Sequence, residues 1–210
     1  MLILIIKESE NNVNEKQEIF LMNVILIVLT ILVLLIIYFG SKSKTKTLPV
    51  ETIKGQFAVD PENIKALVGF SDLYFIGQVV KEVKIDYRDK VQSENPKING
   101  GMPYTYYEIK VLKNIKGNLP TDKTIQIVKF GGKDEGRKTM IVFENDTMPV
   151  TGKTYAMIAC VQDNGEILLS GPNSNIELKN YKKDSNIVRE LEDNYINEIK
   201  YKRERASLKF

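Results

Sequence analysis

The feature that most constrains this chain is an uncharged apolar run over residues 19–39. Only Asn23 and Thr30 interrupt its 21 residues. A helix of that length, at about 1.5 Å per residue, matches the roughly 30 Å hydrocarbon thickness of a bilayer. A core helix of a soluble protein is the alternative, but such a helix would rarely lack every charge. The run therefore predicts a single-pass transmembrane helix, preceded by an N-terminal tail over residues 1–18.

The flanks of this run differ from those of a cleavable export signal. A secretory signal has an apolar region of about 7–15 residues, preceded by positive charge and followed by an A-x-A-like site. Here residues 1–18 carry two Lys against four Glu, and no Ala lies near Gly40. A lipoprotein would need a Cys soon after the run, and the only Cys is Cys160. We expect the anchor to be retained, with Met1 or Met22 as the start.

Composition excludes much of the usual catalytic chemistry, because the 210 residues include no His and one Cys. Histidine-based acid–base catalysis, Ser-His-Asp and Cys-His systems, and zinc sites built on His or several Cys are ruled out. A disulfide within one chain is impossible. We expect no catalytic residue, no cofactor and no metal, and hence a binding or structural protein and not an enzyme.

The domain boundary follows a polar segment without periodicity, residues 40–58, which predicts a linker. Residues 59–69 then have the signals of a short helix, with Asp60 as N-cap, a proline at the first helical position and Gly69 at the C-terminal cap. A β-barrel domain is expected from this helix onward, over residues 59–180.

From Leu73 the apolar period changes to two, which is typical of half-buried strands. The first strand is long, and Gly77 stands where a bulge would bend it. A polar loop covers residues 88–103, and Asp163-Asn164-Gly165 is a hairpin signal. Short strands at this spacing predict a mainly β fold with a small antiparallel OB-like barrel. The predicted strands cover residues 73–87, 104–112, 123–130, 139–143, 154–161 and 166–170.

The last segment, residues 181–210, returns to helical spacing. Ile187, Leu191 and Tyr195 belong to an apolar stripe between charges of both signs. This pattern predicts an amphipathic C-terminal helix that packs on the flank of the barrel. A helix that binds a partner or a membrane surface is the alternative.

Four segments in order carry a resemblance to a known group of proteins. They are GFSDLYFIGQVVKEV at residues 69–83, YTYYEIKVLKNIKGNLP at 104–120, IVKFGG at 127–132 and TYAMIA at 154–159. Over residues 59–180 the chain resembles membrane-anchored surface proteins of Gram-positive bacteria. The resemblance implies an OB-like barrel similar to the inhibitor domain of tissue metalloproteinase inhibitors. Those inhibitors act through an N-terminal Cys and several disulfides, so the resemblance implies no inhibitory activity here.

Charge alone leaves the orientation of the anchor open. The net charge of +3 divides into −2 before the apolar run and +5 after it, and flanking Lys residues favour the C-terminal side by four to two. The positive-inside rule would place the domain in the cytoplasm. The resemblance implies the opposite, and we expect a cell-membrane protein with an extracellular C-terminal domain.

Tyrosines and lysines are mixed in one predicted strand. Tyr104, Tyr106 and Tyr107 lie near Lys110 and Lys113, a mixture that single-stranded nucleic-acid binding uses. However, a surplus of +5 spread over the rest of the chain is low for a concentrated basic stripe. The sequence therefore disfavours nucleic-acid binding.

The other candidate groups are four carboxylates and one thiol. Asp134, Glu135, Glu144 and Asp146 lack the D-x-D-x-D-G spacing of a calcium loop, so we expect solvated loop charges. Cys160 lies in an apolar strand, which predicts a buried, unreactive thiol because no His can activate it.

These features predict a single-pass membrane-anchored, non-enzymatic interaction module at the bacterial cell envelope. Residues 19–39 bind the membrane, and a barrel face or the loop over residues 88–103 binds another envelope protein or a polymer. Two alternatives stay open. One is an enzyme that uses carboxylates alone, Asp86 among them, on an envelope substrate. The other is a cytoplasmic single-stranded nucleic-acid-binding barrel.

Overall fold

The computed structural model describes residues 20–35, 48–88, 101–179, 181–182 and 185–205. The predicted tail over residues 1–18, and residues 89–100 of the predicted loop, lie outside these ranges. The chain divides into two compact units, Met1–Thr47 and Leu48–Phe210. The described residues form nine strands in two sheets and three helices, so the prediction of a mainly β fold is confirmed.

The first unit contains helix α1, described over residues 20–35. Its large apolar side chains are exposed, and its single hydroxyl, on Thr30, donates a 2.7 Å hydrogen bond to the carbonyl of Ile27. Within the described part of the chain, no helix has both the length and the hydropathy that crossing a membrane requires. Residue 19 and residues 36–39 of the predicted span lie outside the described ranges.

The second unit contains the nine strands and the other two helices. The strands are β1 (Val50–Ile53), β2 (Leu73–Arg88), β3 (Met102–Lys116), β4 (Thr124–Phe130), β5 (Gly132–Asp134), β6 (Thr139–Phe143), β7 (Thr154–Val161), β8 (Ile167–Leu169) and β9 (Asn175–Glu177). The helices are α2 (Ile64–Phe70) and α3 (Asn186–Ile196). Strands β2 and β3 run longer than the apolar periodicity predicted, because each supplies the other with a partner at both ends.

In the larger sheet, the strand pairings lead from β2 through β3, β4, β8 and β7 and back to β2. β2 pairs antiparallel with β3 and β7, β3 antiparallel with β4, β4 parallel with β8, and β7 antiparallel with β8. Each of these five strands therefore has a partner on both sides. β9 pairs with another part of β7, and the smaller sheet has the order β1-β6-β5.

Strand β2 contributes side chains to two hydrophobic cores, because successive side chains of a strand point to opposite faces. Leu73, Phe75 and Val79 lie in the first core, with residues of β3, β4, β7 and β8. Tyr74 and Ile76 lie in the second core, with residues of α2 and α3. The first part of β2 is therefore buried on both faces.

The predicted irregularity at Gly77 is confirmed. The β2–β3 register shifts between Ile76 and Gly77. A Cβ at Gly77 would lie 2.4 Å from Cγ2 of Ile109, so the close approach of β3 requires a glycine there.

Helix α2 begins later than predicted, and the assignment of its N-cap to Asp60 is wrong. Asn63 is the N-cap, and its side chain accepts a 3.1 Å hydrogen bond from the backbone of Ala66. Asp60 instead accepts a 3.0 Å hydrogen bond from the backbone of Glu62, which closes a local turn. Two residues with the same capping chemistry lie three positions apart, so residue type alone does not distinguish them.

The predicted C-terminal cap of this helix is also wrong, because the helix continues to Phe70 and its C-cap is Ser71. Gly69 has a packing role instead. A Cβ there would lie 1.8 Å from the carbonyl oxygen of Ile199, so the chain after α3 can cross the helix only at a glycine.

The predicted linker over residues 40–58 contains a strand that the sequence did not reveal. Residues 50–53 form β1, which pairs in parallel with β6, and the second unit begins at Leu48 and not at residue 59. A four-residue strand is too short to display a period of two. Its partner lies about ninety positions away, so no local signal indicates it.

The C-terminal helix is shorter than predicted from residues 181–210. Val188 and Leu191 of α3 are buried in the second core, so packing on the flank is confirmed for this part. The helix ends at Ile196, and residues 197–205, which we call the C-terminal arm, are extended or irregular. The arm leaves the helix because its backbone bonds elsewhere: Ile199 donates a 3.1 Å hydrogen bond to the carbonyl of Lys65.

Candidate functional site

The three tyrosines that the sequence grouped on β3 divide between two faces of the strand. Tyr107 is 2% exposed and lies in the first core, so it cannot contact a ligand on the surface. Tyr104 and Tyr106 lie two residues apart and share the opposite face. Tyr104 is half-buried, whereas Tyr106 is only 6% exposed, so Tyr104 is the more accessible ring and Tyr106 reaches the surface mainly through the groups bonded to it.

A hydrogen-bonded triad forms around Tyr106. Its hydroxyl donates to Oε1 of Glu166 at 2.5 Å and accepts from Nη2 of Arg88 at 2.6 Å. The same Nη2 lies 2.8 Å and 3.0 Å from the two oxygens of Glu166. Asn164 holds the carboxylate from the other side with a 2.9 Å hydrogen bond. The three side chains come from the end of β2, the middle of β3 and the turn before β8.

Two cations lie over the aromatic rings of this face. The guanidinium of Arg88 lies 4.4 Å from the centre of the Tyr104 ring, and Nζ of Lys84 lies 4.5 Å from that of Tyr106. Such a contact contributes about 0.5–1 kcal/mol at an exposed site and up to about 2 kcal/mol where the groups are shielded from water, as the ring of Tyr106 is. We call Lys84, Arg88, Tyr104, Tyr106 and Glu166 the Tyr106 cluster. It has two cations and one carboxylate, and hence a surplus positive charge.

The triad shifts the titration of its members in opposite directions. Burial raises the pKa of Tyr106, and its hydrogen bond to Glu166 raises it further. Burial would raise the pKa of Glu166, but hydrogen bonds from Tyr106 and Asn164 and the charge of Arg88 outweigh it and lower that pKa. At neutral pH the cluster therefore holds a phenol, a carboxylate and a guanidinium, joined by charge-assisted hydrogen bonds.

The predicted basic residues of β3 do not extend this surface as a group. Lys113 pairs with Glu192 of α3 at 2.7 Å, so it serves the contact between strand and helix. Lys110 is exposed and pairs in register with Gln78 of β2 and Thr124 of β4. The sequence indicated neither Arg88 nor Glu166. Their only signals are positional, since Arg88 opens the polar loop and Glu166 follows the hairpin turn.

The expectation of solvated loop charge is wrong for two of the four carboxylates. Asp134 is 3% exposed, and its carboxylate accepts hydrogen bonds from the backbone and Nε of Arg137 at 2.9 Å and 2.8 Å. Burial would raise the pKa of Asp134, but these bonds and the charge of Arg137 lower it. Glu135 and Glu144 are exposed, as expected.

Asp146, the other misjudged carboxylate, is the partner of a buried lysine. Nζ of Lys129 lies 2.9 Å from its Oδ2, and the side chains are 0% and 2% exposed. The ammonium also donates to the hydroxyl of Ser174 and the carbonyl of Gly171. Burial lowers the pKa of Lys129, and the charge of Asp146 opposes that shift. The sequence offered no sign that this lysine is internal.

Cys160 is half-buried on β7. Burial raises the pKa of its thiol, although Nη2 of Arg203 lies 3.8 Å from the sulfur. A protonated thiol is a poor nucleophile. Cys160 is less buried than the sequence predicted, and its lack of reactivity stays a prediction. Among the residues that the structure describes, no three His, Cys, Asp or Glu side chains are grouped so as to hold a metal ion.

Comparison with known proteins adds no family to these observations. No protein-family model and no curated protein matches the chain.

Proposed function

We propose that this chain is a single-pass membrane-anchored, non-enzymatic binding module of the bacterial cell envelope, with an extracellular OB-like barrel. The observation that carries the proposal is the Tyr106 cluster and its position on the five strands β2, β3, β4, β8 and β7, which pair in that order and back to β2 and which we call the five-stranded ring. The uncharged run over residues 19–39 supports the anchor, because its length suits a bilayer.

The strand order supports the OB-like assignment. Numbering the five strands of the ring in chain order gives 1-2-3-5-4 and back to 1, with strands 3 and 5 parallel and the other pairs antiparallel. OB domains are five-stranded Greek-key barrels that bind ligands on the face of strands 2 and 3 and with the loops between strands 1 and 2 and between strands 4 and 5. Tyr106 lies on ring strand 2, and Glu166 lies between ring strands 4 and 5.

The chemistry of the cluster favours an envelope polymer over a second envelope protein as the partner. The half-buried ring of Tyr104 and the cations of Lys84 and Arg88 suit a chain that offers sugar rings and negative charge in repeat. Tyr106, which is 6% exposed, acts by positioning Arg88 and Glu166. The hydrogen bonds among Arg88, Tyr106 and Glu166 hold the groups in place before binding, which reduces the entropy lost on association.

The test is co-sedimentation of the full chain, in lipid nanodiscs, with sacculi purified from a Gram-positive bacterium. We expect wild-type binding, and roughly tenfold weaker binding for Arg88→Gln and Tyr106→Ala, which is about 1.4 kcal/mol for each. Lys113→Gln is the matched control, since it removes one cation from the contact with α3. Absence of wild-type binding, or an equal loss for the control, would refute the proposal.

Orientation has its own test. Protease added to intact protoplasts should digest the second unit if it is extracellular. Protection of the unit would instead favour the cytoplasmic nucleic-acid-binding alternative, because the same tyrosines and cations would suit single-stranded nucleic acid. That alternative requires an oligo(dT) affinity that falls steeply with salt.

The carboxylate-only enzyme has less support. Asp134 and Asp146 are each paired with a cation in ion pairs that account for their burial. Asp86 and Glu144 are exposed. An activity that is lost on changing Asp86 or Glu144 to the amide, with the fold intact, would revive it.

A further inference from the structure

A cavity of about 340 Å³ lies between α2, the residues before it, β7, β8 and the C-terminal arm. It shares no lining residue with the Tyr106 cluster. Its volume falls at the lower end of the roughly 300–1,000 Å³ of small-molecule pockets. Apolar side chains form most of the wall, among them Phe57, Leu67, Phe70, Ile158, Val161 and Leu168.

The wall of the cavity carries one positive charge. Arg203 is the only charged residue among the described residues that line the cavity. Its Nη2 lies 2.6 Å from Oδ1 of Asp72, and the same oxygen lies 3.3 Å from Nη1 of Arg205. One carboxylate thus faces two guanidinium groups, which leaves a surplus positive charge beside the cavity. Nε and Nη1 of Arg203 donate to the backbone carbonyls of Phe70 and Glu204 at 2.7 Å and 3.0 Å, so the guanidinium is held in place at the edge of the cavity. The raised pKa of Cys160 keeps its thiol neutral, so it adds no competing negative charge.

A ligand complementary to this cavity has an apolar part for the wall and a negative charge for the cation at its edge. We propose that the cavity binds a small amphipathic anion, a medium-chain alkyl carboxylate, with its chain against the apolar wall and its head group on Arg203. The chain supplies the affinity, because each buried methylene contributes a factor of roughly four. The head group supplies the orientation and the preference for an anion.

Cys160 provides a direct readout, because it lines the cavity and is the only thiol of the chain. The full chain in nanodiscs is treated with N-ethylmaleimide at pH 8.5, with octanoate as the probe ligand. We expect octanoate to slow the alkylation of Cys160 roughly tenfold at ten times its dissociation constant. Butyrate should protect far less, since it lacks four methylenes.

The matched comparison is a ligand with the same chain and the opposite charge. Octyltrimethylammonium should give little protection if Arg203 selects the head group. Equal protection by both ligands would overturn the proposed role of Arg203, and no protection by octanoate would overturn the site itself. This comparison uses only the wild-type chain, so it does not depend on the folding of any variant.

Variants then assign the head-group contact. Arg203→Gln should abolish protection by octanoate, and Arg203→Lys should retain the preference for the anion. Arg205→Gln is the matched control, because Arg205 shares Asp72 but does not line the cavity. The increase in melting temperature on adding octanoate is the second readout, and it should persist in the control and vanish in Arg203→Gln. Loss of both readouts in the Arg205 variant alone would contradict the assignment.

Discussion

Replacing Lys129 by Met should lower the free energy of unfolding of the second unit by about 3–5 kcal/mol, the range found when one partner of a buried ion pair is removed. Nζ of Lys129 lies 2.9 Å from Oδ2 of Asp146, and neither side chain is more than 2% exposed. Met retains most of the length of the lysine side chain. The main effect is therefore a carboxylate left buried without its cation.

The other partners of the ammonium lose less. Ser174 already donates a 2.6 Å hydrogen bond to the carbonyl of Gly171, so both groups keep a partner after the substitution. With an m-value of about 2 kcal/mol/M in urea, the expected loss lowers the unfolding midpoint by roughly 1.5–2.5 M. The double variant Lys129→Met/Asp146→Leu should recover most of this stability, because it removes both charges.

The assay is urea unfolding of the full chain in nonionic detergent, followed by tyrosine fluorescence and far-UV circular dichroism. Lys153→Met is the control: its Nζ lies 2.8 Å from Glu177, but the side chain is 46% exposed. We expect the control to change stability by less than about 0.5 kcal/mol. The reasoning fails if Lys129→Met leaves the midpoint near that of the control, or if the double variant is no more stable than the single one.

Three further outcomes follow from local geometry. Asn63→Ala should cost about 1 kcal/mol in urea unfolding because it removes the N-cap acceptor of α2, and Asn63→Asp should cost far less. Gly69→Ala should release the C-terminal arm, since its Cβ would overlap the carbonyl of Ile199, and faster amide exchange at Ile199 with intact strand protection would check this. The lowered pKa of Glu166 stabilises the fold above its unfolded value, about 4.3, and that stability is lost as pH falls through the lower folded pKa. Glu166→Gln should therefore flatten the dependence of the urea midpoint on pH below about 5, and an unchanged slope would contradict it.

Local patterns predicted most of the strands. β6 and β7 match the predicted residues 139–143 and 154–161, and the turn at residues 163–165 joins two antiparallel strands as expected. Alternation and turn chemistry act over a few residues, so a sequence displays them directly. The same patterns did not predict the short strands β1, β5 and β9, and they continued the last helix past Ile196. At β1 and at the end of that helix, a distant partner takes the backbone hydrogen bonds.

Charged groups were the least predictable part. Lysine and aspartate are almost always exposed, so nothing in the sequence distinguishes Lys129 and Asp146 from surface residues. Arg88 and Glu166 are 78 positions apart, and Arg203 and Asp72 are 131 apart. Each pair exists only because strand pairing and the path of the arm bring its members together.

By itself the sequence determined the alternation of strands and turns, the apolar run over residues 19–39 and the absence of histidine chemistry, because these depend on residue type and near neighbours. The tertiary structure decided which tyrosines share a face, which charges are buried and where a cavity lies. Those properties depend on contacts between residues far apart in the chain, such as the pairing of β2 with both β3 and β7 and the packing of the C-terminal arm on α2.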